Sequence, residues 1–200
     1  MANRQYNSGR QRDFPYVWVS WLADAVSGDK HCMFAYWHKA NFWFRKVESS
    51  SQGSLAQWRA EHELLLRKIA AEKLEAGATV MVENETKFLI RGEFAELAGK
   101  MDVVSIWPDG RALVSDAKGG APKSKDWWQV FIYVWALPKI DSRFAPGDVS
   151  GEVVYSDHVE TIQPQEVTRE RVQLIATTMR MLAAPMPPER VPSFAECRYC

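Results

Sequence analysis

Residues 99–118 read Gly99-Lys100-Met101-Asp102-Val103-Val104-Ser105-Ile106-Trp107-Pro108-Asp109-Gly110-Arg111-Ala112-Leu113-Val114-Ser115-Asp116-Ala117-Lys118; Gly119-Gly120, a polar link and Gln129 to Tyr133 follow. This stretch predicts two strands around a turn and then a helix. Val103, Val104 and Ile106 make the first arm, and Leu113 and Val114 sit in the second. Pro108-Asp109-Gly110 supplies the turn chemistry. With those three residues as the loop, Trp107 faces Arg111, and counting back along both arms sets Asp102 opposite Asp116.

That register has a chemical consequence. Residues opposite one another in an antiparallel pair have Cβ atoms about 5 Å apart, where like charges repel. Side chains alternate along a strand, so Asp116 and Lys118 share a face. A carboxylate pair and one ammonium therefore gather at one end of an otherwise apolar hairpin. A divalent cation between the carboxylates removes the repulsion, and oxygen ligands suit Mg²⁺ or Mn²⁺. Lys118 then stands where it orients an attacking water or stabilises charge developing on a phosphoryl group.

Asp102, the Asp116-x-Lys118 pair and Gln129-x-x-x-Tyr133 resemble the PD-(D/E)XK nuclease superfamily. Within it they are most similar to the RecB-like branch, which includes the iron–sulphur exonucleases of CRISPR adaptation. That pattern is G-x-x-D, then D/E-x-K, then Q-x-x-x-Y, and Gly99 to Asp102 fits its first part. Asp-x-Lys alone is common by chance; the full order on a strand–strand–helix frame is far more specific.

Composition narrows the class without naming a function. Two hundred residues are enough for one domain with a substantial core. The hydrophobic fraction is 46% and the charged fraction 25%, as in ordinary soluble domains. The formal net charge is zero, so contact with a polyanion must rest on a local patch. No apolar run approaches a membrane span, and the N-terminus has no signal-peptide pattern. Three unevenly spaced cysteines do not suggest a disulfide framework, which fits a reducing, cytoplasmic setting.

Upstream, a short helix is expected after Phe14-Pro15-Tyr16, with Ser20 as N-cap and Gly28 as its end. A second is expected over His31–Trp37. Residues 48–54 read as a polar connector. A long helix follows from about Leu55 to Ala76, with Trp58, His62, Leu65, Leu66, Ile69 and Leu74 at helical spacing and Gly77 as stop. Thr79–Val82 and Phe88–Ile90 flank Glu83-Asn84-Glu85-Thr86-Lys87 and read as a hairpin; Glu83 and Glu85 are read as solvated turn residues. Downstream, Trp127 to Leu137 is helical, capped by Ser124 or Asp126 and ended by Pro138. A strand is expected over Glu152–Ser156, carrying on towards Ile162, and a last helix over Glu166–Leu182.

The resemblance assigns further roles. It places a metal-ligating histidine on the helix before the sheet, which here is His62; a core histidine is the plainer reading. It implies Asp102, Asp116, His62 and the Ala117 carbonyl as metal ligands, and Lys118 as the group that positions or helps deprotonate the attacking water. Gln129 and Tyr133 would support substrate, Gln129 by hydrogen bonding and Tyr133 by stacking on a base or holding a phosphate. Cys197-x-x-Cys200 follows a proline-rich arm, and such a pair grips a metal or an iron–sulphur cluster. With Cys32 it matches three of the four cysteines that cluster-bearing relatives use for a 4Fe-4S cluster; the fourth is absent here. Zinc with His31, or plain free thiols, are the other readings.

The expected fold is α/β, with a restriction-endonuclease-like core: a mixed sheet of about five strands flanked by helices in a single domain over residues 1–200. The N-terminal helical segment, residues 14–47, and the C-terminal segment, residues 185–200, are expected to meet. The expected activity is metal-dependent hydrolysis of DNA, single-stranded or at ends, most simply as an exonuclease. Protein partners would belong to DNA repair, CRISPR adaptation or phage replication. The rivals are a non-catalytic nucleic-acid or protein binding module with a structural iron–sulphur or zinc site, and an iron–sulphur redox protein.

Overall fold

A computed structural model describes residues 9–44 and 52–197. The first strand, β1 (Tyr16–Trp18), runs directly into α1 (Val19–Ser27), which Gly28 closes at φ 74°. The expected cap at Ser20 is not used: α1 follows straight from Trp18, with no side-chain cap. The second helix, α2, begins at Phe34 rather than His31 and ends at Asn41. The long helix α3 (Gln52–Glu75) starts inside the expected polar connector, and Gly77 follows it at φ 83°.

After α3 come β2 (Thr79–Val82), β3 (Lys87–Arg91), β4 (Glu96–Lys100), β5 (Val103–Ile106) and β6 (Ala112–Ala117). Then come α4 (Ser124–Ile140), β7 (Val149–Val154), β8 (Val159–Ile162), α5 (Arg169–Leu182) and the short α6 (Phe194–Cys197). One mixed sheet has the order β2-β5-β6-β7-β8, with only the central β6–β7 pair parallel. A smaller sheet has the order β1-β4-β3. The fold is thus the expected α/β arrangement, with an added sheet that the sequence did not announce.

The expected hairpin between β2 and β3 is not formed. The two segments run instead as one broken arm against β4 and β5. Thr79–Val82 pairs with Ile106–Val103, and Lys87–Arg91 pairs with Lys100–Glu96. The true reversal is at Gly92–Ala95, where Gly92 N–H donates to the Ala95 carbonyl at 3.0 Å. Residues 83–86 therefore oppose residues 101–102, a bulge built on a tight turn, with Glu85 N–H donating to the Val82 carbonyl at 3.0 Å, rather than a hairpin reversal. Long-range pairing overrode local turn chemistry, because each segment buries its inner side chains only against the partner arm.

The unbroken apolar run of α4 from Val130 to Leu137 has a simple cause. Val130, Phe131, Ile132, Tyr133, Val134, Ala136 and Leu137 are all buried, so the helix is enclosed on nearly every side. It packs on β6, β7 and β8 on one side and on α1 and β3 on another. It runs through Pro138 to Ile140, past the expected stop, although the proline has no N–H to give to the Val134 carbonyl. Its N-cap is Lys123, whose N–H donates to Asp126 at 3.2 Å; neither Ser124 nor Asp126 occupies the cap position. The expected strand over Glu152–Ser156 is β7 and stops at Val154; a separate strand, β8, returns beside it. The last helix starts later than expected, at Arg169, with Thr168 as its cap.

Near the chain's end, Glu196 accepts hydrogen bonds from the His31 N–H at 3.1 Å and the Cys32 N–H at 3.0 Å. Trp37 Nε1 donates to the Ala184 carbonyl at 2.7 Å, and Asn41 Nδ2 to the Leu182 carbonyl at 2.8 Å. The N–H groups of His31 and then Cys32 hold the Glu196 carboxyl below the usual glutamate value of 4.5. This clasp is therefore complete above pH 4.5 and is lost as pH falls through the depressed pKa. Exchange of the Cys32 amide is expected to speed up, relative to its intrinsic rate, as pH drops through that window, and Glu196→Ala should carry the loss to neutral pH.

Gly151 on β7 is where α4 comes closest to the sheet. A Cβ there would stand 2.5 Å from Val130 Cγ1 and 2.7 Å from Val134 Cγ2. Gly151→Ala should cost about 1–3 kcal/mol in urea denaturation. Gly147→Ala, with open space around the new methyl, should stay within about 0.5 kcal/mol of wild type.

Candidate active site

The turn at Pro108–Gly110 forms as the sequence predicts. Trp107 N–H donates to the Arg111 carbonyl at 3.0 Å, and Gly110 takes φ 90°. The register follows, with Val103 opposite Ser115 and Val104 opposite Val114. Asp102 is one step beyond the last ladder pair and lies in a bend. The bulge across from it accounts for this: the Glu83 N–H takes the Asp102 carbonyl at 3.0 Å. The Asp102 side chain turns across to the neighbouring arm, where Oδ2 accepts from the Ala117 N–H at 3.0 Å. The ladder thus ends just where the acids must converge.

Asp116 is 1% exposed and Asp102 is 8% exposed, so both carboxylates are taken out of water. Burial is the main reason that the Asp116 pKa is pushed up to about 6, and repulsion from Asp102 adds to it; Lys118 acts in the other direction. Lys118 Nζ lies 2.7 Å from Asp116 Oδ2 in an ion pair whose angles do not make an aligned hydrogen bond. The same ammonium donates to Gln129 Oε1 at 3.2 Å. Burial works against the Lys118 charge, but Asp116 together with Asp102 and Asp126 outweighs it and the pKa is raised. Lys118 is therefore a cation in this arrangement, suited to donating to a phosphate or water oxygen rather than to taking a proton.

Gln129 acts as a crossbar. Its Nε2 donates to Asp116 Oδ1 at 3.0 Å and to the Tyr133 hydroxyl at 3.3 Å. Tyr133 donates in turn to the Lys100 carbonyl at 2.8 Å. Tyr133 is 1% exposed, so it offers no face to a base and no hydroxyl to a phosphate. Its place is behind Gln129, tying α4 to the end of β4. Gly99 completes this support. A Cβ there would lie 2.6 Å from the Phe88 ring, and that ring meets Tyr133 edge-on with centroids 6.2 Å apart.

His62 comes down from α3 with Nε2 3.4 Å from Asp102 Oδ2. A hydrogen bond to Asp102 raises its pKa, burial opposes this, and the charges of Asp102, Asp116 and Glu83 add to the rise. Glu83 itself lies at the cleft and pairs with Lys100 Nζ at 2.9 Å. By spacing alone it is a solvated turn residue; the bulge is what brings it to the cleft. Its φ of 24° marks the local strain.

The cleft above these groups has a volume of about 990 Å³. One wall is α3, with Trp58, Arg59, His62 and Arg67; the other is the loop over 119–125, with Lys123. The helical stripe on α3 is only partly a core face. Ile69 is buried, but Leu74 is exposed and Trp58 is 47% exposed.

The chain belongs to the PD-(D/E)XK nuclease superfamily, whose sequence profile matches residues 22–200. Among solved structures it is similar to one described as the crystal structure of SSO0001, with a TM-score of 0.47 and 16% identity. That similarity covers 96% of this chain and 85% of the other. No curated protein matches the chain by sequence.

Superfamily members take Mg²⁺ or Mn²⁺, and the site's donors suit such an ion: paired carboxylates, an imidazole and backbone oxygen. Among the described residues, no three His, Cys, Asp or Glu side chains are already gathered at metal-binding distances. The protein's own cations and donors occupy the acids: Lys118 and Gln129 on Asp116, His62 and the Ala117 N–H on Asp102. Ala117 touches Asp102 through its N–H, not its carbonyl. A cation entering here would relieve the raised Asp116 pKa and exchange with these partners. Mn²⁺ at a hundredfold excess over its Kd should stabilise the fold by about 2.7 kcal/mol. Thermal melting should show that gain in wild type and lose it in Asp116→Asn.

The cysteines stand elsewhere. Cys32 is partly buried and Cys197 exposed, both with free thiols, and both line a small cavity with Asp24, Lys30, Tyr36 and Glu196. Cys200 lies outside the described residues. No helix among the described residues is long and apolar enough to cross a membrane.

Proposed function

We propose that the chain is a divalent-metal-dependent deoxyribonuclease of the RecB-like branch, acting most simply as an exonuclease on single-stranded DNA or DNA ends. The observation that carries this reading is the buried Asp116 carboxylate with its raised pKa, facing Asp102 and bracketed by Lys118 and Gln129. A binding module has no use for acids buried against each other at such a cost; a hydrolase of phosphodiesters does.

Asp102 and Asp116 would hold Mg²⁺ or Mn²⁺, with His62 and the Ala117 carbonyl as further ligands. When bound, the ion supplies the acidity of a water and neutralises phosphate charge. The chain's own residues do the positioning. Lys118, fixed between Asp116 and Gln129, points its ammonium at the oxygen that gains charge during attack. Gln129 keeps Asp116 in one rotamer, and Tyr133 and Gly99 keep Gln129 in place. His62 must surrender its contact with Asp102 to ligate, so it counters the acid pair before the ion arrives.

A 4Fe-4S cluster or a zinc ion would draw on Cys32, Cys197 and Cys200. Supporting this are the shared cavity of Cys32 and Cys197 and the Glu196 clasp that holds their segments together. Partners in DNA repair, CRISPR adaptation or phage replication would follow from the same branch.

End-labelled single-stranded DNA in Mn²⁺ tests the enzyme. Asp116→Asn and Lys118→Met should each lower cleavage by about 10²–10³-fold or more. Equal cleavage by Asp116→Asn and wild type would remove the hydrolase reading.

A further inference from the structure

We propose that Trp58 is a stacking platform for one nucleobase of a single strand, with Arg59 and Lys123 guiding the backbone into the cleft. This rests on the nuclease reading of the same site and adds how an unpaired strand is held there: by one base stacked next to the phosphate under attack.

The first support is the exposure of Trp58. It sits at a stripe position on α3, where packing would bury it, yet 47% of it faces solvent at the rim of the cleft. One ring face is already used: it stacks on His62 with centroids 5.3 Å apart and planes 26° apart. A base on the outer face would extend a base–indole–imidazole column that ends beside Asp102. Stacking of this kind accepts any base, because every base has a π-face, but it requires the base to be out of a duplex.

The second support is the loop after β6. A Cβ on Gly119 would lie 3.3 Å from Trp58 Nε1, tighter than ordinary contact. A glycine at that position lets the loop carrying Lys123 close up to the indole edge without pushing it aside. The loop and α3 thus form two sides of one narrow entry.

The third support is charge. With a net charge of zero, the molecule has no general attraction for a polyanion. At this cleft, however, the Arg59 guanidinium and the Lys123 ammonium have no carboxylate partner among the described residues, whereas neighbouring Lys125 is paired with Asp24 at 3.1 Å and Arg67 with Glu63. The unpaired cations flank Trp58 on opposite walls, one on α3 and one on the loop. Such a layout suits a strand whose phosphates pass on either side of a stacked base.

The test is a double-mutant cycle read by binding. Fluorescence anisotropy with a labelled single-stranded 12-nucleotide DNA in EDTA keeps the strand intact. Trp58→Ala should weaken binding about tenfold, the scale of one lost base stack, and Trp58→Phe should recover most of it. A single abasic residue, moved along the strand, should cost wild type about tenfold at one position and cost Trp58→Ala nothing there. A blunt duplex should bind wild type and Trp58→Ala alike. If wild type binds and cleaves the strand but the abasic penalty is the same in Trp58→Ala, the stacking proposal is overturned and the nuclease reading stands. If wild type neither binds the strand nor cleaves it in Mn²⁺, both are overturned.

Discussion

Two acids buried side by side are the constraint on which the site depends. Asp116 is sealed from water on the central strand of the main sheet, and its charge form is opposed by burial and by Asp102. An isolated buried charge is too costly to keep, so every neighbour has to answer it. Lys118 supplies charge, Gln129 supplies a donor, and the Ala117 N–H and His62 attend to Asp102. Each of those partners is itself fixed by the fold. The arrangement is polar, nearly satisfied, and balanced in favour of any cation that enters.

The fold serves that constraint at each level. The parallel β6–β7 pair needs a crossover, and α4 provides it while presenting Gln129 and Tyr133 at the end of β6. Gly151 lets α4 lie close on β7, and Gly99 lets Phe88 brace Tyr133 from the far side. The bulge at 83–86 ends the ladder at Asp102, freeing its side chain while holding its backbone through Glu83. Each glycine and the bulge sit where the chain must come closer than a regular strand allows. The walls of the cleft are left largely outside the core: α3 spends little of its surface on packing, and the loop after β6 lines the opening with lysines.

Much of this was legible in the residues alone, and some was not. The turn at Pro108–Gly110 is local chemistry, so the register of β5 on β6, which sets Asp102 and Asp116 one step beyond its last pair, follows from sequence. Gln129 and Tyr133 share a helical face by spacing, and their link to Asp116 follows once that helix lies over the strands. The pairing of β2 and β3 did not follow. Their intervening Glu-Asn-Glu-Thr-Lys looks like a turn, but only the far arm at 96–106 offers each segment a partner with a buried face. Likewise, Tyr133 and Trp58 exchange the parts their residue types suggest: the tyrosine is sealed in and the tryptophan is left out.

Sequence by itself determined the frame that carries Asp102, Asp116, Lys118 and Gln129: the turn at Pro108–Gly110, the register of β5 on β6, and the shared face of Gln129 and Tyr133, because neighbours a few residues apart fix turns and faces. Tertiary structure decided what surrounds that chemistry: the bulge that admits Glu83, the burial that raises the Asp116 pKa, and the exposure of Trp58. Those depend on which distant segments exclude water from one another, a property of the packed whole that no local pattern encodes.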